Sequence, residues 1–219
     1  MKASSKPAKK VIVRKGGRPS RQKAEQIEGQ ILDIAQDLFF TQGYGATSIE
    51  MIAQKAGISK RTFYHRFKDK SDIFRSVVHR VIERLRPPDT AGLFEGQTLE
   101  KILERLAQVL LQAALSPHAL ALQRMMLAEA TRFPKLALAV NQQGARQEAI
   151  KLIADLLTHE TRAKRLNVSK TSFAAEQFLQ MVVSSPLRRA LGLRKPMSPH
   201  ELKAWAHDTV HLFLNGCLR

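Results

Sequence analysis

The sequence lacks the cysteines and long apolar runs that mark disulfide-bonded and membrane proteins. Cys217 is the only cysteine among 219 residues, so neither a disulfide within the chain nor a cluster of thiolate ligands can form. No apolar run approaches the roughly 18 to 20 residues that span a bilayer. The Lys-rich N-terminus leads only into Val-Ile-Val, which is too short for a signal peptide. We expect a soluble protein of the reducing cytoplasm without a membrane partner.

Motifs of the common enzyme classes are also missing. The sequence has no phosphate-binding glycine loop, no Gly-x-Ser-x-Gly nucleophile turn and no His-Glu-x-x-His motif. His207 and His211 are four residues apart beside Asp208, a spacing that can hold zinc, but no third ligand is evident. We therefore predict a protein that is not an enzyme and that has neither a metal site nor a cofactor.

Acidic residues are few, and the basic excess is uneven. The chain has 36 Lys and Arg against 19 Asp and Glu, a formal net charge of +17. Residues 1–86 hold 19 of these basic residues and 8 of the acidic ones, a net of +11. Such an excess attracts nucleic acid or an acidic membrane surface. Its concentration at one end is typical of a nucleic-acid-binding part joined to a second part.

The first 21 residues are predicted to form a disordered basic arm. They contain eight basic residues and no acidic one, punctuated by Pro, Gly and Ser. Within Arg-Lys-Gly-Gly-Arg-Pro, Arg14, Lys15 and Arg18 flank glycines, and Gly-Arg-Pro resembles the core of minor-groove AT-hook segments. The hypothesis is that the arm adds minor-groove or phosphate contacts. The alternative is a solubilising or non-specific tail.

The next 65 residues, 22–86, read as a helix-turn-helix domain with a connecting helix. Apolar residues at helical spacing predict a first helix from Arg21 that ends at Gly43. Thr47 and Glu50 predict a capping box for a second helix, which Gly57 ends. Ser59 is the predicted cap of a third helix. The second and third helices, roughly seven to nine residues each, lie around a glycine turn, which is typical of DNA-binding helix-turn-helix units.

The remainder of the chain is helical in pattern. A fourth helix is predicted from Lys70 to residue 85, where Pro87 and Pro88 prevent its continuation, and residues 87–97 read as the domain connection. Further helices are predicted at residues 98–115, 117–131, 134–159, 171–184 and 198–217. No segment alternates with period two. We therefore expect an all-α protein in which the helix-turn-helix domain precedes a larger ligand-binding and dimerisation bundle, residues 87–219.

One segment of this first domain resembles a known family. Residues 22 to about 75 are similar to the DNA-binding domain of TetR-family transcriptional regulators, and the matching features lie in residues 31–74, ILDIAQDLFFTQGYGATSIEMIAQKAGISKRTFYHRFKDKSDIF. Residues 129–137, EATRFPKLA, resemble a subgroup of TetR-like repressors associated with drug and solvent efflux genes. The sequence departs from the common Tyr-Tyr-His-Phe of the family by placing His65 and Arg66 at the second and third positions.

The third helix has the two faces that a recognition helix needs. Phe63 and Phe67 are four residues apart and should pack inward. We predict that Lys60, Arg61 and His65 read bases and that Tyr64 and Arg66 contact phosphates, because Arg and Lys can bind the guanine edge in the major groove. The resemblance adds Thr47 and Lys70 as residues that hold the DNA backbone. The alternative is a solvated basic helix face.

The C-terminal part is predicted to dimerise and to bind a ligand. The resemblance implies a homodimer formed by the last two helices, with a stripe that comprises Leu202, Trp205, Thr209, Leu212, Phe213 and Gly216. A pocket for an apolar small molecule is predicted among Met125, Met126, Phe133, Phe173, Phe178 and Met181. Both sets can also be ordinary core.

These features together indicate a ligand-responsive, sequence-specific regulator of double-stranded DNA. The resemblance implies a repressor that leaves its palindromic operator when ligand binding tilts the fourth helix and changes the separation of two recognition helices. The alternative is a non-specific or architectural DNA-binding protein without an inducer. The ratio of specific to non-specific affinity distinguishes the two.

Overall fold

The computed structural model describes residues 21–85, 98–134 and 145–216, and its regular structure there is helical throughout, which confirms the all-α prediction. The helices are α1 Arg21–Gln42, α2 Ile49–Lys55, α3 Lys60–Tyr64, α4 Lys70–Leu85, α5 Leu99–Ala114, α6 Pro117–Glu129, α7 Ala145–Arg162, α8 Thr171–Arg188 and α9 Pro199–Asn215. A short π-helical turn, Arg189–Leu193, follows α8. Within these ranges no helix combines the length and the apolar character that crossing a bilayer requires.

Several helix ends lie where local sequence signals predict them. Gly43, with φ of 88°, follows α1 and donates its N–H to the carbonyl of Phe39 at 3.0 Å. Gly57 takes a φ of 64° after α2. The Ser59 hydroxyl accepts the N–H of Thr62 at 3.1 Å and caps α3. At α9, which begins where the sequence predicted a helix, Ser198 and Glu201 form a capping box around Pro199.

The start of α2 and the length of α3 differ from the prediction. Ser48, not Thr47, caps α2, and its hydroxyl accepts the N–H of Met51 at 3.2 Å. Thr47 is buried instead, and its Oγ1 donates to the carbonyl of Gly43 at 2.8 Å. Helix α3 has only five residues, because the N–H of Arg66 bonds to the carbonyl of Phe63 and tightens the chain into a turn.

Helix α8 continues past Pro186, whereas the sequence predicted its end at residue 184. Pro186 has no N–H, so it cannot donate to the carbonyl four residues earlier, that of Val182. The indole Nε1–H of Trp205, on α9, donates to this carbonyl at 2.9 Å. The otherwise unpaired backbone group is therefore satisfied by a side chain, and α8 extends to Arg188. The predicted helix 134–159 is described from Ala145 and ends at Arg162, and its predicted start lies outside the described residues.

Buried side chains form two clusters. The first joins α1 to α4 around Phe39, Phe63 and Phe74, and the second joins α5, α7, α8 and α9 around Leu103, Leu157 and Phe178. Although α6 follows the predicted domain connection, Leu122 and Met125 of α6 belong to the first cluster. Helix α6 thus packs on the helix-turn-helix domain, so residues 22–86 do not account for the whole of the first core.

Candidate nucleic-acid interface

Helix α3 divides into a buried face and an exposed face. Phe63 and Phe67 are fully or almost fully buried, with ring centroids 5.5 Å apart, and they pack in the same cluster as Ile52 of α2. Lys60, Arg61, Tyr64 and His65 are exposed. This confirms the predicted orientation of Phe63 and Phe67. The exposed face carries two permanent positive charges and two further polar groups that can reach an acidic partner.

The predicted base-reading residues differ in how free they are. The Arg61 guanidinium is exposed and has no ion-pair or hydrogen-bond partner among the residues that the structure describes. Lys60 pairs with Glu50 of α2 at 2.6 Å, and both side chains are more than half exposed. The hydrogen bond to Glu50 raises the pKa of Lys60. Because an exposed ion pair is weak, Lys60 can exchange this partner for another anion.

The two predicted phosphate contacts of the recognition segment lie at the C-terminal end of α3. The Tyr64 ring is 53% exposed and packs edge-on against Phe63, with centroids 5.7 Å apart. Arg66 is half-buried, and its Nη1 lies 3.4 Å from the carbonyl of Thr62, near the limit of a hydrogen bond. The Tyr64 hydroxyl is thus carried on a ring whose orientation is restricted on one side by a buried phenylalanine.

The resemblance implies that Thr47 and Lys70 contact the DNA backbone. In the structure, both side chains make contacts within the protein. The Nζ of Lys70 lies 2.9 Å from the carbonyls of Tyr44 and Thr47 and 3.4 Å from that of Gly45. It also lies 4.5 Å from the centroid of the Tyr44 ring. Burial lowers the pKa of Lys70. Both side chains therefore build the loop of residues 43–47 between α1 and α2, and their phosphate contacts stay predictions.

Sequence reasoning missed two residues that contact this loop from far along the chain. Glu129, the last residue of α6, accepts the N–H of Gly45 through Oε1 at 2.9 Å. The Phe133 ring packs edge-on against Tyr44, with centroids 4.9 Å apart. The only signal in the sequence is that both residues lie in the EATRFPKLA segment. A buried carboxylate 84 residues from its donor leaves no local pattern.

Family models match both halves of the chain. Residues 31–77 match the model of bacterial regulatory proteins of the tetR family, and residues 101–216 match the C-terminal domain of AefR-like transcriptional repressors. The second match alone covers more than half of the 219 residues. This chain belongs to the TetR family. It is a DNA-binding transcriptional regulator, and its family consists of regulators rather than enzymes.

Individual TetR-family proteins resemble the chain to different extents. The transcriptional regulator AcrR of Shigella flexneri is 42% identical over 60 residues, which are 27% of this chain and 28% of AcrR. The chain thus spans less than a third of the length of this curated relative. A TetR-family regulator from Mesorhizobium loti has a crystal structure with a TM-score of 0.72 at 29% identity, over 88% of this chain and 96% of that one. FrrA, a flavonoid-responsive regulator, superposes with a TM-score of 0.74 at 28% identity, over 88% of this chain and 97% of FrrA.

Within the described residues, the predicted ligand-pocket residues of this TetR-family protein lie in both clusters and at the surface. Met125, Met126 and Phe133 pack against the first cluster, with the helix-turn-helix domain. Phe178 is fully buried in the second cluster, whereas Phe173 is 61% exposed. Met181 is half-buried on α8. The sequence identified apolar residues, but it did not show that α6 packs on the helix-turn-helix domain through Leu122 and Met125.

A groove of about 610 Å³ instead lies between α5 and α7. Its apolar wall consists of Leu99, Ile102, Leu152 and Leu156. Its polar end is formed by Thr98, Asp155, His159, Glu160 and Arg165. Arg165 donates to both carboxylate oxygens of Glu160, at 2.6 and 2.7 Å, and this hydrogen bonding lowers the pKa of Glu160 to about 2. The groove therefore combines an apolar wall with a largely self-neutralised polar end.

The predicted dimer stripe on α9 is partly used within the chain. Thr209 is buried, the Phe213 ring packs on Phe178 with centroids 4.9 Å apart, and Trp205 donates to α8. Leu202 also packs against the second cluster, whereas Leu212 is 44% exposed. His207 pairs with Glu104 of α5, and the described residues contain no group of three ligands suited to a metal ion.

Proposed function

We propose that this TetR-family regulator is a repressor that binds a palindromic operator as a homodimer and leaves it when a small apolar molecule binds. The proposal rests on helix α3 and the turn after it. There the exposed Lys60, Arg61, Tyr64 and His65 lie opposite the buried Phe63 and Phe67. A helix that enters the major groove needs both an apolar anchor and free polar side chains near its N-terminus.

In this proposal Lys60, Arg61 and His65 contact base edges. Arg61 is the strongest candidate because no ion pair within the described chain has to be broken first. Tyr64 and Arg66 contact phosphates beside the groove, which fixes the register of the helix without reading sequence. The proposed phosphate contacts of Thr47 and Lys70 require that the DNA approach the loop of residues 43–47 that these two side chains hold together.

The Lys60–Glu50 pair gives a first test of this face. Glu50→Gln removes a negative charge beside the proposed DNA surface and frees Lys60. We expect DNA affinity to rise by about two- to fivefold at moderate salt, since exposed pairs are weak. Titration of a labelled duplex measures the change. Asp37→Gln is the matched control, because Asp37 of α1 forms a similarly exposed ion pair with Lys55 of α2, which does not involve α3. This control should raise DNA affinity less. Equal effects of the two variants would contradict a specific role for Lys60.

The arm residues Arg14, Lys15 and Arg18 lie outside the described residues, and we propose that they contact the minor groove or phosphates. Deletion of residues 1–20 should weaken binding and reduce the slope of log affinity against log salt by about two to three, because each lost phosphate contact removes about 0.9 from the slope. A Gly/Ser arm of equal length is the control and should behave like the deletion. An unchanged affinity and slope would leave the arm as a solubilising tail.

A homodimer follows from the length of α3, since one short helix reads few bases and a two-fold axis doubles the site. We propose that α8 and α9 form the interface, with Leu212 and the half-buried Leu202, Trp205 and Phe213 completing it. Thr209 is already buried within one chain and supports the packing from beneath. The exposure of Leu212 supports this placement, because an exposed apolar residue gains from a partner.

For the ligand we propose the groove between α5 and α7, whose apolar wall suits a small apolar molecule. The responsiveness of FrrA to flavonoids supports a small organic ligand in a chain of similar fold. The residues that the sequence predicted for a ligand pocket lie elsewhere: Met125, Met126 and Phe133 pack with the helix-turn-helix domain, and Phe178 lies in the second core. Ligand binding need only favour the state in which the recognition helices no longer match the operator.

The proposal is tested by selecting bound duplexes from a random DNA pool with the full chain. We expect a palindrome whose half-sites are centred about 34–36 Å apart or at a multiple of this spacing. Enrichment of a single half-site would contradict the homodimer. No enrichment at all would favour the alternative, a non-specific or architectural DNA-binding protein, which the net charge of +17 also permits.

A further inference from the structure

Glu129 is a buried carboxylate that belongs to the C-terminal half of the sequence but contacts the N-terminal domain. It is 8% exposed, and its Oε1 accepts the N–H of Gly45 at 2.9 Å. Its Oε2 is buried and has no hydrogen-bond partner among the described residues. Burial of a charged group is unfavourable unless its environment compensates. The position of Glu129 therefore calls for an explanation beyond ordinary packing.

Gly43 and Gly45 lie directly beside this carboxylate. A Cβ at Gly43 would lie 2.8 Å from Oε1 of Glu129, and Gly43 also has a φ of 88° that disfavours any side chain. A Cβ at Gly45 would lie 3.4 Å from both carboxylate oxygens and 3.4 Å from the Phe133 ring. A side chain at Gly43 would therefore crowd the carboxylate, whereas one at Gly45 would meet it and the Phe133 ring at about ordinary contact distance.

The same loop is held from its other side by α4. Lys70 places its ammonium on the carbonyls of Tyr44, Gly45 and Thr47, and the Tyr44 hydroxyl lies 3.0 Å from that of Ser71. Burial lowers the pKa of Lys70, and attraction to the Glu129 carboxylate partly offsets this by raising it. The two charged groups therefore interact electrostatically across the loop. Residues 43–47 are therefore clamped between α6 and α4.

This clamped loop leads directly into the helix-turn-helix. Ser48, which caps α2, follows Thr47, and Thr47 is tied back to Gly43. The direction in which α2 leaves the loop depends on these bonds, and α3 packs on α2 through Phe63. A shift of the loop would therefore reach α3 through these hydrogen bonds and through the packing of Phe63 with Ile52 in the first cluster.

We propose that Glu129 is a positioning residue for DNA binding, which holds the loop of residues 43–47, and through it α2 and α3, in the DNA-competent orientation. This inference rests on the proposed function, since it assumes that α3 is the recognition helix. It assigns to the end of α6 a role that the helix-turn-helix sequence alone does not contain. It also makes α6 a physical link between the second half of the chain and the recognition helix.

Two substitutions of Glu129 distinguish the effect of its hydrogen bond with Gly45 from the effect of its negative charge. Glu129→Ala removes a negative charge near a DNA-binding surface, so electrostatics alone predicts tighter binding. We expect the opposite, a loss of about tenfold in affinity, because Gly45 loses its buried acceptor and the loop must be ordered by DNA. Glu129→Gln keeps an oxygen acceptor for Gly45 and should stay within about twofold of wild type.

The salt dependence and hydrogen exchange distinguish positioning from general damage. Glu129 touches no phosphate in this proposal, so Glu129→Ala should leave the salt slope unchanged. Exchange of the Gly45 amide should be faster in Glu129→Ala than in wild type. DNA binding should slow exchange of α6 amides in wild type but not in Glu129→Ala, because coupling between two sites is reciprocal. Exchange in α5 and α7 should be the same in both proteins, which a globally destabilised variant would not show.

Glu176→Ala is the control for loss of a carboxylate elsewhere, since Glu176 of α8 is half-exposed and pairs with Arg146. It should bind DNA like wild type. Binding by Glu129→Ala that equals or exceeds wild type would overturn the proposal, and so would a Glu129→Gln protein as weak as Glu129→Ala. If selection yields no operator, the proposed function fails. The same variants are then compared on a duplex of random sequence. An unchanged affinity of Glu129→Ala for that duplex would overturn the positioning role as well.

Discussion

Phe63→Ala is expected to lower the free energy of unfolding of the helix-turn-helix domain by about 3–5 kcal/mol. Phe63 is fully buried, its ring contacts those of Phe67 and Tyr64, and it lies in the core that also contains Ile52 and Phe74. Truncation removes the transfer free energy of the ring and leaves a cavity that a five-residue helix cannot fill by shifting. DNA binding should be lost at the same time, because Phe63 and Phe67 together anchor the exposed face and the substitution removes one of these two rings.

Urea unfolding and hydrogen exchange of α1 to α4 measure this effect. Phe173→Ala is the matched control, since Phe173 is 61% exposed and the substitution removes the same ring from the surface of α8. The control should leave exchange in α1 to α4 unchanged. If Phe63→Ala were as stable as Phe173→Ala and still bound DNA, the buried back of α3 would not be its anchor.

Arg61→Ala is expected to reduce affinity for the selected operator by about 1–3 kcal/mol, the contribution of one good contact to a base edge. The reason is the position of Arg61 on the exposed face near the start of α3, without a partner among the described residues. Binding to a scrambled duplex should weaken far less. The variant should also lose its preference at one base pair of each half-site.

Operator and scrambled duplexes titrated in parallel measure this difference. Arg162→Ala, which removes an exposed arginine at the end of α7, is the control for loss of one positive charge. It should leave the ratio of the two affinities unchanged. Equal weakening of Arg61→Ala on both duplexes would show that Arg61 contacts phosphate, and the base-reading role would have to pass to Lys60 or His65.

Helix ends could be predicted well from the sequence because the signals that set them are local. Gly43 and Gly57 adopt positive φ where the chain leaves α1 and α2, and Ser59 caps the next helix within three residues of its bonded N–H. The Ser198–Glu201 capping box is equally local. The prediction was wrong at Thr47 because two adjacent hydroxyl residues can each cap α2. Thr47 is buried and bonds to Gly43, and the half-buried Ser48 caps the helix.

Features that depend on distant parts of the chain could not be predicted. The sequence gives no sign that Trp205 supplies the donor that Pro186 lacks, so α8 was predicted to end too early. Nor does it show that Glu129 meets Gly45, or that Lys70 points into the loop instead of outward. The six predicted pocket residues are apolar, but the sequence does not show that Met125, Met126 and Phe133 pack with the first cluster while Phe178 packs in the second. Periodicity identifies a buried face and does not identify its partner.

The measurement that tests the account most directly is the ratio of affinities for the selected palindrome and for a scrambled duplex of equal length, determined across a range of salt. A sequence-specific regulator predicts a ratio of about 10³ or more at physiological salt, because base contacts persist when phosphate contacts are screened. A ratio near one, with equally steep salt slopes for both duplexes, would contradict it. Arg61 and its neighbours on α3 would then form a phosphate clamp on a non-specific DNA-binding protein.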